Sequence, residues 1–143
     1  MKKLLLLPIL TLIFITSVQA QKKVQWEAFV DGRLVSRSQV PEGELKVSIN
    51  ASEVSSDASF GVRVYTLQPC LSCYQVLVIK NKEGEVYTEA ETNQKEGEMS
   101  VPFADLFGYW AQQSEGHFQV YSYLRTPSGQ KMKEEFLFDL HFE

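Results

Sequence analysis

From Val24 to the end of the chain, apolar residues return at every second position over most segments, the period of half-buried strands rather than of helices. Trp26, Ala28 and Val30 alternate with Gln25, Glu27 and, after an Asp31-Gly32 pair suited to the positive φ angles of a type I′ turn, Leu34-Val35 begins a return strand. Pro41-Glu42-Gly43 predicts a further turn, after which Leu45, Val47 and Ile49 point one way while Glu44, Lys46 and Ser48 point the other. Asn50 to Ser59 reads as a polar loop, and Phe60, Val62 and Val64 as a strand ending at Gln68-Pro69. Tyr74 to Lys80 carries apolar residues on both faces through Val76, Leu77, Val78 and Ile79, which predicts the central strand of its sheet.

In the second half, Asn81 to Gly84 turns the chain into Val86, Thr88 and Ala90, and Met99, Val101 and Phe103 resume the alternation as far as Pro102 allows pairing. Ala104 to Ala111 breaks the period and predicts one helical turn crossing between sheets. Gly116 opens a strand with Phe118, Val120, Ser122 and Leu124 on one face, Thr126-Pro127-Ser128-Gly129 is a turn, and Phe136, Phe138, Leu140 and Phe142 form the inward face of a last strand. About eight or nine short antiparallel strands with turns every 8–12 residues predict an all-β chain, a two-sheet immunoglobulin-like sandwich with one short helical crossover. The Cys…Trp…Cys core of antibody domains is absent, so only the architecture carries over.

The first residues change the picture of where the chain works. Lys2-Lys3 precede an apolar run from Leu4 to Ile15, and small residues up to Ala20 follow, so residues 1–20 have the form of a cleaved signal peptide and 21–143 of a single domain. The run is shorter than the roughly 20 apolar residues that span a bilayer, and no cysteine follows the cleavage point to take a lipid. The expectation is a periplasmic or secreted protein without stable membrane insertion. Of 14 basic and 18 acidic residues in the whole chain, cleavage removes Lys2 and Lys3, moving the net charge from −4 to −6. That balance gives no attraction to phosphates and argues against nucleic acid as a partner.

Cys70 and Cys73, the chain's two cysteines, stand in Gln68-Pro69-Cys70-Leu71-Ser72-Cys73-Tyr74. In an exported protein such a pair is a disulfide, a redox couple or half a metal site. As a staple it closes a very small loop, worth roughly 2 kcal/mol of chain entropy against roughly 3 for a 15-residue loop. As a redox couple it lacks the helix start or neighbouring cation that favours a thiolate, because a strand follows Cys73 and no Lys, Arg or His lies within several residues. As a metal site it would need His117 and His141, which fall on different predicted strands without paired ligand spacing, or Met99 and Met132 for copper. No metal or other cofactor is therefore expected. Carboxylates cluster in turns such as Glu83-Gly84-Glu85 and Glu96-Gly97-Glu98, where solvation explains them, and no nucleophile elbow is present, so catalysis is not expected.

Tyr109 and Trp110 in the connecting segment, with Tyr121 and Tyr123 on the strand face opposite Phe118 and Val120, would form a platform for a sugar or peptide. The alternative is that both faces of that strand are partly covered and these rings complete the core.

One resemblance bears on function. Cys70-Leu71-Ser72-Cys73-Tyr74-Gln75-Val76-Leu77, the polar turn and Gln/Glu-rich segment after it, and Gly116-His117-Phe118-Gln119-Val120 with its hairpin partner resemble the small periplasmic curli-assembly chaperones over Val62 to Phe136. That family has an immunoglobulin-like sandwich with two near-adjacent cysteines entering a central strand, spaced C-x-C where this chain has C-x-x-C. The resemblance implies a non-enzymatic exported protein that binds a strand-forming client. Thiol-disulfide exchange at Cys70 and Cys73, and carbohydrate binding at Tyr109 and Trp110, are the alternatives the residues leave open.

Overall fold

The computed structural model describes residues 24–38, 45–66, 70–113 and 116–143, with 109–113 described by backbone only. The expected signal segment 1–20, the Pro41-Glu42-Gly43 turn and the strand end at Gln68-Pro69 lie outside the described residues. The elements are β1 (Gln25–Val30), β2 (Arg33–Arg37), β3 (Lys46–Ile49), a single 3-10 turn (Ala51–Glu53), β4 (Ser59–Tyr65), β5 (Tyr74–Lys80), β6 (Val86–Thr92), β7 (Glu98–Pro102), α1 (Phe103–Gln113), β8 (His117–Arg125) and β9 (Glu135–Phe142).

These strands form two packed sheets, ordered β2-β1-β4-β7 and β3-β9-β8-β5-β6. The chain is thus an all-β sandwich of immunoglobulin-like type, with β1, β4 and β7 adjacent in one sheet and β5, β8 and β9 adjacent in the other. All described pairings are antiparallel except one. β3 runs parallel to β9, Lys46 opposite Asp139 and Ile49 opposite Phe142, which departs from the all-antiparallel expectation. The polar loop after β3 lets the chain leave that sheet and enter the other as β4, so β3 and β9 meet without a connecting turn.

Turn chemistry fixes the first hairpin. Asp31 at φ 48° and Gly32 at φ 72° supply the two positive dihedrals of a type I′ turn, and the Asp31 carboxylate accepts from the Ser59 amide at 3.0 Å, tying the turn to β4. Alternation then places Trp26, Ala28, Phe60, Val62, Val64, Leu77, Ile79, Phe118 and Val120 between the sheets, all buried. The break in period at 103–113 is a full helix, longer than the single turn expected, whose Phe103 and Leu106 sit in the core at one helical repeat. Tyr74 to Lys80 is an interior strand between β6 and β8, as its two apolar faces require, but β8 rather than β5 holds the middle of the sheet.

The last strand corrects one expectation. A bulge between Val120 and Tyr121 pairs Val120 with Phe138 and Tyr121 with Phe136, so one extra residue is fitted into β9 and the parity of the strand changes there. Phe138, Leu140 and Phe142 face inward as alternation demands, while Leu137 turns in and Phe136 turns out, 38 % exposed against the Tyr121 ring.

This parity makes two phenylalanines two positions apart behave differently. Phe138→Ala removes a fully buried ring and should lower stability by about 3–5 kcal/mol, whereas Phe136→Ala should cost under about 1.5 kcal/mol. Urea denaturation of both variants checks this; equal losses would place the bulge elsewhere.

Candidate functional site at the disulfide end

The core does not fill the whole length of the sandwich. Where β4 and β8 end and β5 begins, inward positions pass from Val62, Leu77 and Val120 to Thr66, Gln75 and Ser122. Ser122 is buried and accepts a hydrogen bond from the Gln75 amide, which also reaches the Tyr123 carbonyl at 3.5 Å. This hydrogen-bonded pair lies within the five-stranded sheet, beside the cavities that open at this end.

Two cavities occupy the opening, of about 260 and 250 Å³. They share Val64, Thr66, Gln75 and Leu124 as walls and together form one divided cleft. The first is bordered by Cys70, Leu71 and Cys73 on one side and by the β6–β7 loop, Asn93 to Gly97, on the other. The second opens toward Val24, Met132, Lys133 and Glu135. Glu96 in the facing loop has φ 55°, a left-handed conformation unusual for a residue with a Cβ, so this lip is held in a specific shape.

Cys70 and Cys73 form a disulfide with Cα atoms 5.4 Å apart. Cys73 is buried at the entry of β5, Cys70 is half-buried, and between them Leu71 is 94 % exposed. Leu71 stands in water at the cleft mouth as an apolar knob on a loop whose backbone the disulfide restrains. Lys95 and Glu96, on the facing loop, also border this cavity.

The aromatic candidates divide. Tyr109 and Trp110 lie on α1, and their side chains fall outside the described residues. Tyr121 and Tyr123 are on the outer face of the five-stranded sheet, outside the core, and both are covered by cations: the Lys80 ammonium stands 4.3 Å from the Tyr121 ring centre and the Lys131 ammonium 4.3 Å from that of Tyr123. Glu134 pairs with both lysines, at 2.7 Å from Lys131, and Arg125 lies over Tyr74 at 5.2 Å while pairing with Glu91. Under this layer Val76 and Val78 are only 3 % and 1 % exposed although they face outward. The two tyrosines therefore build a lid over the sheet rather than an open platform or part of the inner core.

Met99 is buried in the core, away from the metal-binding role considered for it, and Met132 lines the second cavity. Among the described residues no three His, Cys, Asp or Glu side chains are grouped as a metal would require. His117 and His141, without paired spacing in the sequence, are brought face to face by the β8–β9 register. Among the described residues no helix is long and apolar enough to cross a membrane. Compared with known proteins, the chain matches no protein-family model and no curated protein.

Glu134 provides a pH test of the lid. Its burial alone would raise the carboxyl's pKa, but hydrogen bonds and charge from Lys131 and Lys80 outweigh that and hold it below the ordinary value. A depressed folded-state pKa contributes stability above the unfolded pKa and loses it as pH falls through the folded one. Glu134→Gln should therefore destabilise the protein at pH 7, and the gap to wild type should narrow progressively below about pH 4.5. Thermal unfolding across pH 2.5–7 reads it; a gap independent of pH would show that the carboxylate charge is not what holds the lid.

Proposed function

We propose that this is an exported, non-enzymatic sandwich that binds an extended segment of another exported protein at its disulfide end and restrains that protein's assembly into fibres. The observation that carries the reading is Leu71, 94 % exposed on a ring closed by Cys70–Cys73 at the mouth of a cleft. A loop closed by a disulfide loses little backbone entropy when a partner covers its apolar residue, a property that suits an interface anchor. The cleft behind it mixes apolar walls, Val64 and Leu124, with hydrogen-bonding Gln75 and Thr66, suited to an extended backbone with one apolar side chain. Export rests on the form of residues 1–20, and the choice of client class rests on the resemblance of the segment around Cys70 to curli-assembly chaperones. The net charge of −6 after cleavage favours contact through apolar and backbone groups over attraction to an acidic partner.

A thiol-disulfide role has one specific observation in its favour. Cys70 is the more exposed residue of the pair, Cys73 is buried, and Lys95 borders the same cavity, an arrangement that favours attack of an incoming thiolate on Cys70 with release of Cys73. The mixed disulfide would then form on Cys70, so Cys73→Ser is the variant that should trap it. A reduction potential near −120 to −200 mV would favour this role, and one below about −300 mV a permanent clip, which the client-binding reading expects.

The direct test is fibre formation by a curli-type amyloid subunit followed by dye fluorescence. The protein should lengthen the lag at substoichiometric ratio, and Leu71→Asp should abolish the effect while leaving stability within about 0.5 kcal/mol, since the side chain is solvent-exposed. Unchanged lag times with equimolar wild-type protein would remove the reading. Full retention of activity by Leu71→Asp would move the contact away from this end.

A further inference from the structure

On the outer face of the five-stranded sheet, at the far end of β8 from the cleft, His117 and His141 are directly opposite each other across the β8–β9 pair. The adjacent Phe142 amide donates to the Gly116 carbonyl at 2.8 Å, so the histidines occupy the next, non-hydrogen-bonded position, where opposed side chains approach most closely. Their rings stack with centroids 4.1 Å apart and planes 29° from parallel. Asp139, two residues before His141 on the same face, lies 3.1 Å from Nε2 of His117. Both His117 and Asp139 are more than one-third exposed, so the pair is open to solvent.

We propose that His117 and His141 chelate a divalent late transition metal ion, Cu²⁺ most strongly, with Asp139 orienting His117 and water completing the coordination. This site is independent of the client-binding end.

The geometry fits such an ion. Opposed residues at a non-hydrogen-bonded position bring two imidazoles within reach of one ion, whose ligand nitrogens at about 2.0–2.1 Å lie roughly 3–3.4 Å apart. The rings now stack, 4.1 Å between centroids, so ligation requires them to turn about their soft second side-chain torsions until their in-plane lone pairs converge. Asp139, as the acceptor beside Nε2 of His117, orients that ring and leaves Nδ1 as the nitrogen for the ion, the carboxylate–histidine–metal relay. The ring of His141 has its stacking contact with His117 and no hydrogen bond among the described residues. Imidazole pairs without thiolates select copper, nickel and zinc over magnesium and calcium, and within that group Cu²⁺ binds tightest. The charged groups around His141 are Lys46 on β3, which opposes a cation, and Asp139 on β9 and Glu143 just after it, which attract one.

The experiment titrates the full chain with Cu²⁺ alone, following paramagnetic broadening of the histidine ring protons and the nitrogen hyperfine pattern of the bound copper. Saturation at one ion per chain, with the His117 and His141 ring signals lost together and two coordinated nitrogens, is the expected result. His117→Gln and His141→Gln should each weaken binding at least tenfold, and Asp139→Asn should weaken it about tenfold, as removal of an orienting carboxylate does. Zn²⁺ should bind the same two rings more weakly. Broadening of other residues with these two rings unaffected, unchanged affinity in the His117→Gln/His141→Gln double variant, or no saturable binding up to millimolar Cu²⁺ would each overturn the site. The ring-proton readout uses the unmodified protein and so holds even where a variant fails to fold.

Discussion

The Trp26 ring on β1 and the Phe138 ring on β9 meet across the gap between the sheets at 4.2 Å, and from this contact a line of rings runs through the molecule. Phe60 touches Phe138 edge-on at 6.4 Å, Phe103 touches Phe60 at 5.9 Å, and Phe142 and Phe107 close on Phe103 at 5.8 and 5.3 Å. Edge-to-face aromatic packing adds direction to burial, and here it sets how far apart the sheets stand and how α1 docks at one end. At the other end the line stops at Trp26, which is paired with Val64, a wall of both cavities. Beyond that residue Thr66, Gln75 and Ser122 join the apolar Val24 and Leu124 along the cavities. The cleft is therefore a consequence of where the aromatic core ends, and the disulfide ring with its Leu71 knob is mounted on the rim that remains.

Much of this was readable along the chain, because alternation is a local signal. Trp26, Ala28 and Val30, or Phe118 and Val120, declare an inward face without knowledge of their partners, and Asp31-Gly32 declares its turn through dihedrals that few other pairs adopt. What alternation does not carry is pairing. The parallel match of β3 to β9 joins residues some 93 positions apart, Lys46 and Asp139, and no short pattern encodes it. The bulge opposite Val120 and Tyr121 shifts parity by one residue, so Phe136 reads as core until its partner strand is known.

The same limit explains which parts of the candidate site were missed. Cys70 and Cys73 are three apart and visible at once, but Lys95 reaches their cavity only through the β6–β7 loop. His117 and His141 have no ligand spacing in sequence, and it is the register of β8 on β9 that stacks them. Tyr121 and Tyr123 read as a platform because the lysines that cover them, Lys80 and Lys131, come from β5 and from the loop before β9. The outer face and the disulfide end treat apolar groups differently: the Tyr121 and Tyr123 rings lie beneath cations, while Leu71 is exposed to solvent.

The most direct measurement on the central claim is an amide-resolved NMR titration of the isotope-labelled protein with an unlabelled curli-type subunit kept monomeric. The account predicts shifts or broadening concentrated at Cys70–Gln75 and at the facing loop Gln94–Gly97, with β2 and the tyrosine-bearing outer face of β8 unaffected. Changes concentrated instead along the edge strand β2, or spread over the outer face of β8, would contradict the assignment of binding to the disulfide end.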